Sequence, residues 1–177
     1  MTELAERYAR IHAELALAAG ARPVRLLAVS KQQPAAAIRA LAACGQQAFG
    51  ENYVQEALAK QGELADLALE WHLIGPLQSN KCREAAEHFD WVQSVDREKL
   101  IPLLARFRPT GRMPLNVLIQ VNIDDEASKS GCAPDRIAPL ATLIGGEPRL
   151  RLRGLMAIPA PVVDHTLRRA AFARMRA

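Results

Sequence analysis

The stretch LLAVSKQQPAAAIRALAACG, residues 26–45, holds one strand, one turn and one helix in that order. Leu26 to Val29 is a short apolar run, as a fully buried parallel strand shows. Lys31 follows just past its end. Pro34 then stands where the first turn of a helix tolerates proline, because that backbone N–H has no intrahelical partner in any case. AAAIRALAAC is rich in strong helix formers, and Gly45 suits the helix C-terminus.

The same order recurs along the chain. QAFGE (47–51) reads as a second strand, followed by a helix over 53–66. EWHLIG (70–75) is a third, with a helix from Asn80 to His88, and DWVQSV (90–95) is a fourth. Asp96 is placed to cap a helix that runs to Phe107. NVLIQVN (116–122), apolar and rich in β-branched residues, is the clearest strand, with a helix over 134–144 after it. LRGLMAIP (152–159) is the sixth strand, and another helix begins at 163. Ahead of all these, residues 2–19 read as an amphipathic helix that Thr2 can cap, with Leu4, Tyr8, Ile11 and Leu15 on one face.

Strands alternating with helices across short connections imply parallel strands joined by crossover helices. An open doubly wound sheet and a closed (β/α)8 barrel both fit. The glycine-rich dinucleotide fingerprint is missing after strand 1. Polar residues instead gather just past the strands: Lys31, Glu51-Asn52, Gln78 to Lys81, Asp96, Asn122 and then Pro159. A (β/α)8 barrel keeps its chemistry at that end. Such a barrel has eight units and about 250 residues, whereas six strands fit into these 177. The expectation is one barrel domain over 1–177, C-terminally incomplete, lacking its last two strand–helix units. A six-strand arc leaves strands 1 and 6 with unpaired edges.

Half of the residues are hydrophobic, a globular share. Lys and Arg total 23 against 19 Asp and Glu, and the scattered excess of +4 forms no basic, aromatic-laced surface for nucleic acid. No apolar run is long enough to span a membrane. The charged start, MTELAERYAR, does not read as a signal peptide. Cys44, Cys82 and Cys132 are an odd number with no CxxC pair, which fits free thiols in a reducing cytoplasm. No Ser-His-Asp order, HExxH or P-loop is present.

Lys31 has two readings: a surface lysine past a strand end, or a Schiff-base lysine. At an apolar barrel mouth a lysine amine is partly desolvated, which frees its lone pair for attack on an aldehyde. Asn52 is either a helix cap or an amide beside a ring in the barrel mouth. In WHLIGPLQSNK (71–81), Gly75-Pro76 turns the chain, the polar residues before the helix offer N–H groups to an anion, and His72 reads as a satisfied core histidine. NIDDEASKSG (122–131) matches no calcium loop and reads as solvated, with Lys129 a second lysine near the mouth. Met156 is core, or packs against a flat ring.

Together, LLAVSK, FGENYVQEA, EWHLIGPLQSNK, HFDWVQSVDR, PLNVLIQVN, SKSG and LRGLMAIPAP resemble the pyridoxal phosphate homeostasis protein family, in order across residues 26–161. That family resembles the barrel domain of alanine racemase without its second domain. The resemblance implies pyridoxal 5′-phosphate (PLP) held as a Schiff base on Lys31, with Asn52 and Met156 near the ring and Lys129 near the site. In the family a Ser/Gly segment after strand 7 and an Arg-Gly segment at strand 8 grip the phosphate, and neither has a counterpart here. The implied function is intracellular PLP homeostasis by a cytoplasmic, monomeric carrier that supplies PLP-dependent apoenzymes. The alternative is a PLP-dependent amino-acid racemase or lyase. Racemisation needs a second acid/base on the opposite face of the substrate imine, and the chain's two tyrosines, Tyr8 and Tyr53, are not obviously placed to serve.

Overall fold

Apolar runs and helical stretches set the element order, and the computed structural model, which describes residues 3–124, 130–159 and 164–176, follows it. Helices are α1 (Glu3–Ala19), α2 (Ala35–Ala43), α3 (Val54–Glu63), α4 (Cys82–His88), α5 (Leu100–Phe107), α6 (Ile137–Gly145) and α7 (His165–Arg176). Strands are β1 (Ala28–Val29), β2 (Ala48–Glu51), β3 (Glu70–Leu73), β4 (Trp91–Val95), β5 (Leu115–Gln120) and β6 (Leu150–Met156). All six expected strands are present, in the order β1-β2-β3-β4-β5-β6. The chain divides into two compact units, up to His72 and from Leu73 onward.

In the first unit β1 runs parallel to β2, pairing Ala28 with Phe49 and Val29 with Gly50. All four residues of β2 are buried. The core is Ile38 of α2, Phe49 of β2, Val54 and Ala57 of α3, with Leu64 and Trp71. Burying each large side chain contributes about 1.5–3 kcal/mol. Pro34 is the N-cap of α2, and Pro at this boundary suits the residue's fixed φ. The Gln46 amide donates to Leu26 O (2.9 Å) and Ala48 O (2.6 Å), tying the approach to β1 onto β2. His72 is buried, with Nε2 2.6 Å from Glu70 Oε1, so it is the satisfied histidine expected.

Strand 1 is shorter than its apolar run suggests. Leu26 and Leu27 lie outside β1, and Val29 is exposed. No residue of α1 is buried, so its apolar stripe rests only partly covered. The Thr2 cap lies outside the described residues.

In the second unit β4, β5 and β6 pair in parallel. α5 buries Leu100, Ile101, Leu104 and Ala105. Arg108 closes this unit from inside. Its guanidinium donates to Ala86 O, Phe89 O and Met113 O, each at 2.8 Å. Burial, with the nearby Arg112 charge, pushes its pKa down to about 10. Asp96 does not cap α5: the N-cap is Lys99, and Asp96 instead pairs with Arg97 at 2.6 Å. The helix expected from Asn80 begins as a 3-10 turn over Ser79–Lys81.

The β5–β6 ladder slips by one residue. Val117 faces Leu152, but Leu118 faces Gly154, so Arg153 is extra. Gly154 has φ +142, a backbone that side chains rarely adopt. The slip aligns Gln120 with Met156 at the end of the pair. Of the cysteines, Cys44 is exposed while Cys82 and Cys132 are buried, and all are free thiols. Among the described residues, no helix is long and apolar enough to cross a membrane.

Candidate functional site around the end of strand 1

The first unit places Lys31 on a tight turn. Ser30 is buried and donates its N–H to Gly50 O at 2.9 Å, which extends the β1–β2 ladder by one step. Gln33 N–H then donates to Ser30 O at 3.0 Å, closing a turn whose inner residues are Lys31 and Gln32. Gln32 has φ +61, the third-position conformation that usually selects glycine. Lys31 itself is exposed. That exposure departs from the partly desolvated amine expected at a barrel mouth.

Beneath the turn lies a buried ionic cluster. Lys60 of α3 donates to Ser30 O (2.7 Å), Glu51 Oε1 (2.7 Å) and Glu56 Oε1 (2.8 Å). An ammonium has three donors, so all are used. Ser30 Oγ donates to the same Glu51 oxygen at 2.6 Å, and Gln32 N–H donates to Glu56 Oε1 at 2.5 Å. Glu51 is fully buried, and its Oε2 has no hydrogen-bond partner among the described residues. Burial opposes the Lys60 charge, but hydrogen bonds to Glu51 and Glu56 outweigh it and raise its pKa. The hydrogen bond from Lys60, helped by Gln32 N–H, holds the Glu56 carboxyl below its ordinary range. With its donors committed and its charge favoured, Lys60 is no aldehyde nucleophile, which leaves Lys31 as the accessible amine of this turn.

Asn52 lies two residues beyond Gly50 as Lys31 lies two beyond Val29, and Gly50 and Val29 are register partners. The two therefore emerge from the same end of adjacent strands. Asn52 is half-buried and does not cap α3, whose N-cap is Tyr53. Met156 belongs to the second unit, half-buried at the end of β6, with its carbonyl accepting from Val121 N–H at 2.8 Å. Lys129 lies outside the described residues. The flanking SKSG motif is explained at Gly131: a Cβ there would sit 2.6 Å from Asn122 N, and its φ is +124. Only glycine fits that approach.

Glu56 and Lys60 were not singled out by sequence, and Glu51 only as a polar residue at the end of a strand. Two signals exist: a glutamate ending an otherwise apolar strand, and a Glu–Lys pair at i,i+4 on α3.

Tyr8 is on α1, its ring 5.0 Å from that of His12, and Tyr53 is 61% exposed at the head of α3. Among the described residues, no side-chain hydrogen bond fixes either as an acid/base.

The alanine racemase N-terminal domain family matches residues 4–177. The pyridoxal phosphate homeostasis protein of Pseudomonas aeruginosa is 57% identical over 99% of this chain and 79% of its own length. That of Haemophilus influenzae is 54% identical over 86% of this chain, which spans 65% of the relative. Among solved structures, PipY of Synechococcus elongatus without PLP superposes with TM-score 0.87 at 45% identity, over 98% of this chain and 79% of that one. PipY with PLP bound gives TM-score 0.86 at 41% identity over the same shares. Alanine racemase of Bacillus anthracis, 16% identical with TM-score 0.66 over 85% of this chain and 39% of its own, shares the fold. The chain therefore belongs to the pyridoxal phosphate homeostasis proteins, built on the alanine racemase N-terminal domain.

Proposed function

We propose that this protein binds PLP reversibly through Lys31 and serves PLP homeostasis as a carrier. The observation that carries the proposal is the exposed Lys31 amine on a turn whose neighbouring Lys60 is wholly engaged. The donor set fits the aldehyde end of the cofactor, since condensation needs a primary amine with access to it. When bound, PLP supplies an electrophilic aldehyde and a flat, electron-withdrawing ring. Lys31 provides the nucleophile. Asn52, half-buried beside it in the next connection, offers an amide to the ring. Met156 offers a polarisable thioether, and Lys129 a further amine; each is tested by its own alanine variant. An exposed amine admits water and other proteins, which suits transfer of a cofactor better than protection of a carbanion. In this proposal the protein acts as a cytoplasmic monomer, residues 1–177 serve as one cofactor-binding domain, and PLP-dependent apoenzymes receive the cofactor.

The test is reconstitution with PLP, borohydride reduction and peptide mass mapping. A pyridoxyl group on Lys31, absent in Lys31→Ala, is expected. A chain that gains no such group refutes the proposal. Incubating the loaded protein with amino acids in D₂O separates carrier from enzyme: α-proton exchange well above that with free PLP would favour a racemase or lyase.

A further inference from the structure

The cluster under the Lys31 turn has an unusual arrangement of partners. Its hydrogen bonds end on the two residues that flank Lys31. On one side, Lys60 Nζ holds Ser30 O, while Glu51 Oε1 holds Ser30 Oγ. On the other, Glu56 Oε1 holds Gln32 N–H. Both peptide positions next to the lysine are thereby fixed to α3 and β2.

The turn needs such holding. Gln32 at φ +61 sits in the left-handed region, which disfavours a side chain relative to glycine. Ser30 O already accepts from Gln33 N–H, so Lys60 takes its second lone pair. Lys31 itself is exposed, and among the described residues no such bond anchors it. The direction of its Cα–Cβ bond is then set by its neighbours' bonds.

We propose that Lys60, Glu51 and Glu56 are positioning residues that lock the Ser30–Gln33 turn so that the Lys31 amine is presented in one orientation for aldehyde capture. The inference rests on Lys31 being the attachment residue. Glu56 is the point to probe. Its side chain is 26% exposed, so removing it does not open the core. Glu56→Ala removes the acceptor for Gln32 N–H. Glu56→Gln keeps that acceptor and discards the charge.

Two measurements are made on each variant and on the unaltered chain. The first is hydrogen exchange at the Gln32 amide. The second is the pyridoxyl adduct at Lys31 after a short exposure to subsaturating PLP and borohydride, mapped by mass across a range of pH. In Glu56→Ala the Gln32 amide should exchange about tenfold faster, the equivalent of one hydrogen bond, and the Lys31 adduct should fall several-fold at every pH. Glu56→Gln should retain both within about twofold. A merely structural glutamate would alter exchange and leave the adduct unchanged. Faster Gln32 exchange with an undiminished Lys31 adduct therefore overturns the positioning role alone. No adduct at Lys31 in the unaltered chain overturns the attachment role and the positioning role together.

Discussion

Replacing Lys60 with methionine isolates what the buried cluster contributes. The substitution keeps an unbranched apolar stem and deletes the ammonium. Lys60 and Glu51 have side chains only 8% and 0% exposed, so neither can turn to bulk water without opening the unit. Among the described residues, Glu51 Oε2 already lacks a partner, and without Lys60 its other oxygen keeps the Ser30 hydroxyl alone. Breaking a buried ion pair from one side typically costs about 3–5 kcal/mol, because the remaining charge is stranded. With an m-value of about 2 kcal/mol/M, that is a fall of roughly 2 M in the urea midpoint. Trp71 lies in the first unit and Trp91 in the second. Trp71 fluorescence in a Trp91→Phe background therefore follows the unit that holds the cluster. Adding Glu51→Gln to Lys60→Met should recover part of the loss, since the stranded charge is removed. A loss below about 1 kcal/mol, or a double variant as unstable as the summed singles, would refute the account of a tightly coupled buried cluster.

Other perturbations reach separate features. The Lys60 pKa is raised above its ordinary 10.5, so its stabilisation is complete below that pH and lost as pH rises through the folded value; Lys60→Met should abolish this alkaline loss in urea titrations. Glu56 runs the opposite way: its carboxyl is held below 4.5, so its contribution is present above that pH and fades as pH falls through the folded value, a fade that Glu56→Gln should lack. Gly131→Ala meets backbone 2.6 Å away at φ +124 and should cost about 2–3 kcal/mol in thermal or chemical unfolding. Alkylation should label exposed Cys44 first, whereas Cys82, buried and with its thiol pushed up to about 11, should react only on unfolding, as peptide mapping over time will show.

Sequence periodicity located the six strands among the described residues because a parallel strand buried on both faces is an apolar run between polar residues. β5 and β2 match that pattern closely, within a residue or two of the expected ends. The pattern misjudged β1, since Leu26 and Leu27 are apolar yet lie ahead of the ladder, where the Gln46 amide holds Leu26 O. It also misassigned the cap at Asp96, and of the two readings of Asn52 the cap is not the one seen, as residue type allows a cap while chain direction decides it. Lys31 was legible as a lysine at a strand end. Its supports were not, because Ser30, Glu51, Glu56 and Lys60 become neighbours only when α3 folds back against the β1–β2 pair. Glu56 and Lys60, at i,i+4, look like an ordinary solvated helix pair until Glu51 is seen beneath them.

That contrast bears on why the cluster exists. A buried ion pair is a poor source of stability, since apolar residues of similar volume commonly do as well or better. A core made to be stable would place leucine or methionine at these positions. Charged hydrogen bonds instead provide direction: each has a narrow range of length and angle, and together they hold both neighbours of Lys31. An apolar replacement, Glu51→Leu with Lys60→Met, poses the question sharply. It should fold about as well as the unaltered chain, within about 1–2 kcal/mol, while Gln32 exchange quickens and the Lys31 adduct declines. Equal stability with an undiminished adduct would show that shape alone holds the turn.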